Sequence, residues 1–404
     1  MNALPPADPA DPLASFAALR TPEGTALLDE LRDHDPAREL ATATRLRRTH
    51  PAALVSAALG QARLRQRAVA KFGAADAYRM FFTPDGVEQA TRTSVATYRA
   101  ERFAELGVHS VADLCCGIGG DAIALARAGI SVLAVDRDPL TAEVARANAA
   151  ALGLQDLVEV RCADVTEVDT SPYDAVFADP ARRGGRGRIF DPEAYSPPLS
   201  WATAAALKTP RAALKIAPGV PHEAIGPHAE AEWISDGGDV KEAVLWFGDG
   251  FRAGSFRATL LPSRATLAAA SPLPAPPVGP VGRYLYEPDG AVIRAHLVAA
   301  VVEECGGRLI DETIAYVTSD TPYDSDHATR YEITDQLPFN LKKLRGLLRE
   351  RQVGVLTVKK RGSAVEPEEL RRKMKLQGRQ AATVFLTRVA GAPTMLVGQP
   401  SKRS

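Results

Sequence analysis

Cysteine is scarce. The 404 residues hold four, Cys115, Cys116, Cys162 and Cys305. No two make a C-x-x-C pair, so neither a disulfide framework nor a cysteine zinc site is expected. They read as reduced core residues of a cytoplasmic protein, and no catalytic thiol is assigned. The seven histidines are scattered without ligand spacing, so no metal is assigned. No apolar run reaches the roughly 18 residues of a membrane span, and no signal-peptide pattern is present. Neither a membrane partner nor export is therefore expected. Formal charge is zero, with 49 basic against 49 acidic residues, so any polyanion partner needs a local patch.

Hydrophobic residues make up 46% of the chain, an ordinary globular value, and the length predicts two to three domains. The most informative stretch runs from 111 to 185. Four short apolar runs end in V-A-D-L-C-C-G-I-G-G-D-A, V-L-A-V-D-R-D-P, V-E-V-R-C-A-D-V and Y-D-A-V-F-A-D-P-A-R-R-G-G. Helical patterns separate the first three runs. That rhythm predicts βαβ units in a parallel sheet, whose ligands bind at the carboxyl ends of the strands. Asp113, Gly117, Gly119, Asp136, Asp164 and Asp179 fall at or just past those ends.

Gly117 and Gly119 let the backbone bend sharply and come close to a ligand. Asp136 stands about 20 residues further on, the spacing of a carboxylate that accepts ribose hydroxyls. Two cofactors fit. Gly117 to Ala122 satisfies the G-x-G-x-x-A dinucleotide pattern. S-adenosylmethionine fits better, because Asp113 would repel a pyrophosphate but welcomes an ammonium and a sulfonium. Asp164 adds a partner for the adenine amine.

These residues resemble the class I S-adenosylmethionine-dependent methyltransferases. The D-x-C-C-G-x-G-G-D turn, the V-D-x-D-P strand end and the A-R-x-N-A helix from Ala145 to Ala149 are most similar to the RNA branch that includes cap-guanosine N2 enzymes. The resemblance spans residues 83 to about 260. It implies a Rossmann-like seven-stranded sheet. It also implies that Asp113 and Gly117 to Gly119 hold the methionine moiety, Asp136 the ribose and Asp164 the adenine. Cys115, Asp121, Arg137 and Val165 complete the candidate cofactor contacts.

The fourth motif departs from the amino-methylating pattern of D/N-P-P plus an aromatic. It reads Asp179-Pro180-Ala181-Arg182-Arg183-Gly184, closer to RNA 5-methyluridine enzymes. Those need a cysteine nucleophile in the turn after the next strand. Here that turn, Leu214 to Gly219, has none, so transfer to a nitrogen or oxygen is expected. Asp179 is the candidate acceptor for the target's proton, with Pro180 fixing its loop. Arg182, Arg183 and Lys215 are candidate substrate contacts. Phe82 is the candidate stacking surface that the motif lacks. The loop after Gly185 carries Arg186, Arg188, Phe190, Tyr195 and Trp201, a mixture suited to an unstacked base and its phosphates.

Five segments are expected: a disordered tail 1–12, a helical domain 13–82, the methyltransferase domain 83–262, a Pro-rich linker 263–282 and an α/β domain 283–404. One helix is expected from Pro84 to Gly107, and another from Ala291 to Cys305. Between Leu341 and Arg388 stand 14 Lys and Arg against Glu350, Glu366, Glu368 and Glu369. Such a concentrated basic segment is the footprint of a nucleic-acid partner. Lys359, Lys360, Arg361, Arg371 and Arg372 are its candidate contacts; solvated amphipathic helices are the alternative. The segment resembles the THUMP-like domain of some methyltransferases, which implies RNA binding. An RNA methyltransferase acting on tRNA or rRNA is the leading expectation. A methyltransferase for a protein or small molecule, or a non-catalytic RNA-binding protein, would share these features. The sequence leaves the oligomeric state open.

Overall fold

Asp11, Thr21, Asp35 and Thr83 each precede a proline, and each side chain accepts a backbone N–H just inside the next turn. Such caps satisfy donors that a helix start leaves unpaired. The structure, a computed structural model, describes residues 11–182, 192–270 and 272–401. The helices are α1 (Pro12–Leu19), α2 (Pro22–Glu30), α3 (Glu39–Leu46) and α4 (Ala52–Ala77), the last kinked at Gly73. Then come α5 (Pro84–Gln89) and α6 (Thr93–Glu105).

The single helix expected from 84 to 107 is thus broken. Ala90 and Arg92 are extended, and the Lys71 ammonium takes the Glu88 and Ala90 carbonyls that a continuous helix would use. The helical segment also shares its core with the first helices of the α/β domain. Leu27, Leu46, Leu59 and Phe72 pack in one cluster with Ile118, Ile123, Val144 and Ala147.

Next come β1 (Ser110–Leu114), α7 (Gly120–Arg127), β2 (Ser131–Asp136), α8 (Pro139–Ala151), β3 (Val158–Cys162) and β4 (Ala175–Ala178). A short pair, β5 (Ala181–Arg182) and β6 (Tyr195–Ser196), precedes α9 (Leu199–Ala206) and β7 (Arg211–Ile216). The remaining strands are β8 (Glu230–Asp236), β9 (Asp239–Gly248), β10 (Ser255–Leu261) and β11 (Ala265–Ala270). The order is β11-β10-β8-β9-β7-β4-β1-β2-β3. The expected seven strands are present, and β10 and β11 extend them to nine. Strands β3, β2, β1, β4 and β7 pair in parallel. The order reverses between β1 and β4, the switch point where such sheets bind ligands. Gly237 and Gly238 turn β8 into β9 with positive φ at both, as a tight hairpin requires.

β11 lies inside the expected linker. Its exposure alternates along the strand, and it pairs antiparallel with β10, Thr259 Oγ1 standing 3.2 Å from Thr266 Oγ1. No helix among the described residues is long and apolar enough to cross a membrane.

The chain divides into two compact units, 1–216 with 246–251 and 217–245 with 252–404. The second also contains β12 (Tyr284–Pro288), α10 (Gly290–Arg294), α11 (Val298–Glu304), β13 (Arg308–Asp311), β14 (Ile314–Ser319) and β15 (Ala328–Pro338). α12 (Leu341–Glu350), β16 (Val353–Lys360), α13 (Pro367–Met374), β17 (Gln380–Val389) and β18 (Ala392–Pro400) close it. These strands form a seven-stranded sheet, β13-β14-β12-β15-β18-β17-β16. The helix expected from 291 to 305 is interrupted where His296 adopts a positive φ. One face of the sheet packs under α12 and α13 through Leu344, Leu348, Leu370 and Met374.

Candidate active site

Beyond β1 the chain turns through left-handed conformations at Cys115, Gly117 and Gly119 before entering α7. A Cβ at Gly117 would meet nothing within 4 Å, so its φ of +56° and not crowding selects glycine. At Gly119 a Cβ would stand 3.4 Å from the Ala145 Cβ on α8. Asn148, fully buried on α8, braces this turn. Its Nδ2 donates to Ile118 O at 2.9 Å and Phe81 O at 3.0 Å, and its Oδ1 accepts Phe81 N–H at 2.6 Å. The A-R-x-N-A string therefore has a local job, which sequence reasoning had noted only as a likeness.

Asp113 is fully buried, and neither carboxylate oxygen has a hydrogen-bond partner among the described residues. Burial raises its pKa well above the usual carboxylate range; Asp121 and Asp179 reinforce that, and Arg99 opposes it. A bare buried carboxylate is costly unless a cation or donor meets it. The ammonium and sulfonium of S-adenosylmethionine are such partners, so the residues present fit the group. Asp136 closes the turn from β2: Oδ2 accepts Gly117 N–H and Oδ1 accepts Asp138 N–H, each at 3.0 Å. Each oxygen keeps a second lone pair for a ribose hydroxyl.

The register Leu114↔Ala178 and the bond from Asp179 N–H to Leu114 O bring Asp179 beside Asp113. Lys215, buried at the end of β7, donates to Asp179 Oδ2 at 2.6 Å and to Thr91 Oγ1 at 3.0 Å. Lys215 is thus committed to the motif carboxylate, and Thr91 is a site residue that sequence reasoning missed. Nearby Lys71 is lowered to about 8 by burial and by the charges of Lys215 and Arg92.

Other expected residues stand differently. Asp121 pairs with the buried Arg99, whose guanidinium lies 4.4 Å from the Phe177 ring centroid. Its carboxylate therefore supports the fold under the turn. Asp164 is exposed, one strand out; Oδ1 caps a turn by accepting Thr166 N–H and Oγ1–H, which lowers its pKa. Val165 is buried beside it, and Arg137 reaches Ser196 Oγ at 3.5 Å. Burial with Asp136 and Asp179 nearby pushes the Cys115 thiol up, away from nucleophile behaviour.

Phe82 is a correction. It is 3% exposed, its ring packs on Phe72 at 5.5 Å, and its backbone N–H and C=O both bond Gln61. It is core and not a stacking platform. Arg183, Arg186, Arg188 and Phe190, and the side chain of Arg182, lie outside the described residues; Pro180 immediately precedes β5.

In the C-terminal segment the candidate contacts separate. Lys359 and Arg361 are half-buried and share Glu287, with Lys359 over the Tyr331 ring and Arg361 over the Tyr316 ring. Lys360 pairs with Glu366, and Arg371 with Glu368. Arg372 is exposed on α13.

An α/β sheet with a glycine turn and a buried carboxylate at its switch point, the latter unpartnered among the described residues, fits a positively charged nucleoside cofactor. Residues 111–181 match the family described as methyltransferase domain, 328–400 that described as THUMP domain-like, and 10–68 a domain of unknown function. An uncharacterized S-adenosylmethionine-dependent methyltransferase of Mycobacterium tuberculosis is 33% identical over 354 residues, 84% of this chain and 95% of that protein. The chain therefore belongs to the S-adenosylmethionine-dependent methyltransferases, and S-adenosylmethionine is its cofactor. A crystal structure of a candidate methyltransferase from Porphyromonas gingivalis W83 has the same fold, with TM-score 0.78 and 20% identity, covering 97% of this chain and 99% of that one.

Proposed function

We propose that this methyltransferase modifies a nitrogen, or an oxygen, of a nucleotide in tRNA or rRNA. The observation that carries this reading is the charge segregation: 14 basic residues against four acidic between 341 and 388 in a chain of zero net charge. Phosphate contacts favour such clustering.

When bound, S-adenosylmethionine supplies the electrophilic methyl group. Asp113 meets its cationic end, Gly117 and Gly119 let it approach the backbone, Asp136 takes the ribose hydroxyls and Asp164 the adenine. Asp179 serves the acceptor. Lys215 occupies Oδ2 and, with Thr91, fixes the side chain. Oδ1 has no partner among the described residues and is left to accept the N–H of the target. That bond aims the nitrogen lone pair at the methyl group and takes up the proton released on transfer.

A protein acceptor is the second reading. Lys359, Lys360, Arg361, Arg371 and Lys373 are already ion-paired, which lowers the free positive charge. Lys342, Lys343, Arg349, Arg372 and Lys375 are exposed and make no ion pair among the described residues, however, so positive charge is left for phosphate. Incubation of the chain with labelled S-adenosylmethionine and total tRNA and rRNA separates the readings. Label entering RNA, and lost in Asp179→Ala with cofactor affinity kept, is expected. Label entering only protein or small molecules would contradict the proposal.

A further inference from the structure

α12 is amphipathic in an unusual way. Leu344 and Leu348 point into the core, so at 3.6 residues per turn Lys342, Gly346 and Arg349 lie on the opposite, outer face. Lys342, Lys343 and Arg349 are exposed and make no ion pair among the described residues. Two of them stand in the first turn, which holds no acidic residue, where the helix dipole disfavours cations. Folding alone gives no reason to gather unpaired positive charge there. A bound anion does.

Gly346 points the same way. Glycine is among the poorest residues inside a helix. Here φ is not positive, the residue is exposed, and an added Cβ would meet nothing within 4 Å. No contact among the described residues requires it. A partner backbone pressed against the helix would, because only glycine leaves that space bare. α13 extends the surface. Arg345 of α12 donates to the Lys373 carbonyl at the end of α13, so the two helices abut. Arg372 and Lys375 on that end are exposed and also make no ion pair among the described residues. The corner formed by Lys359 and Arg361 is unlike this, since Glu287 already offsets its charge.

We propose that the outer face of α12 with the end of α13, made by Lys342, Lys343, Arg349, Arg372 and Lys375 around Gly346, grips the phosphate backbone of RNA. This surface, and not the Lys359–Arg361 corner, supplies the electrostatic hold. The inference rests on the reading that the substrate is RNA.

The test measures binding of the full chain to total tRNA between about 50 and 200 mM salt. The triple variant Lys342→Gln, Lys343→Gln, Arg349→Gln touches only exposed side chains that make no ion pair among the described residues. It should lower the slope of log affinity against log salt by about three and weaken low-salt binding by on the order of 100-fold. Lys360→Gln, next to that corner and already paired with Glu366, should bind within about twofold of wild type. Gly346→Gln should melt higher, because glutamine is the better helix former, and yet bind several-fold more weakly. If wild type binds tRNA and either the triple variant or Gly346→Gln binds equally tightly, the surface is wrongly assigned. If wild type binds no RNA even at low salt, it is the RNA reading itself that fails.

Discussion

Replacing Asp113 by asparagine should stabilise the cofactor-free protein and cripple cofactor binding. Its two carboxylate oxygens are buried without a partner among the described residues. Burial, reinforced by Asp121 and Asp179, raises the pKa of this group above its value in the unfolded chain. Between the ordinary carboxylate pKa near ~4 and the raised value, the native state holds one more proton than the unfolded state. Stability from this group is therefore full at low pH and falls as pH rises, by about 1.4 kcal/mol per unit. An uncompensated buried charge costs about 3–5 kcal/mol. The amide of Asp113→Asn is itself unpartnered and costs about 1–3 kcal/mol. The net gain is about 2 kcal/mol, or roughly 4–8 °C in a unit of this size. Losing a charge-assisted contact to the cofactor cation should weaken S-adenosylmethionine about 10- to 100-fold. Thermal unfolding at pH 5, 7 and 9, with calorimetry at pH 7, reads both effects. The gain should grow with pH. A variant that melts lower than wild type at pH 9, or binds the cofactor equally well, would refute the reasoning.

Asn148→Ala removes three buried hydrogen bonds and should cost about 3–5 kcal/mol in denaturant unfolding; a loss under about 1 kcal/mol would deny its role as brace of the glycine turn. Phe82→Leu keeps an apolar side chain in a packed site, so it should cost under about 1.5 kcal/mol and leave turnover per folded molecule unchanged. Loss of turnover with an unchanged melting temperature would restore Phe82 as a base-stacking residue. Lys215→Met should lower kcat with little change in cofactor affinity, and Lys215→Arg should recover part of it; equal turnover in all three proteins would detach Lys215 from Asp179.

The half of the candidate site that is legible in the sequence is the half written locally. A strand, a glycine turn and a capped helix succeed one another within 111–139, so Asp113, Gly117, Gly119 and Asp136 could be placed from spacing. The rest depends on pairs far apart in the chain. Asn148 meets Phe81 across 67 residues, Lys215 meets Thr91 across 124, and Arg99 meets Asp121 from a helix that carried no motif. Phe82 misled because nearness to the domain start says nothing of burial; Gln61 and Phe72, which cover it, come from α4. β11 was hidden by Ala- and Pro-rich composition, since its pairing with β10 and not its own propensity makes it a strand. Among the basic residues, charge counting cannot tell Lys359, held by Glu287, from Lys342, which makes no ion pair among the described residues.

The central claim is that carboxylates at the ends of β1, β2 and β4 hold a cationic methyl donor and present it to an RNA nucleotide. Mass spectrometry of tRNA and rRNA nucleosides, from cells with and without the gene, tests it most directly. One methylated nucleoside should vanish in the deletion and return with the wild-type chain but not with Asp179→Ala. Identical nucleoside profiles in all four strains would contradict the account.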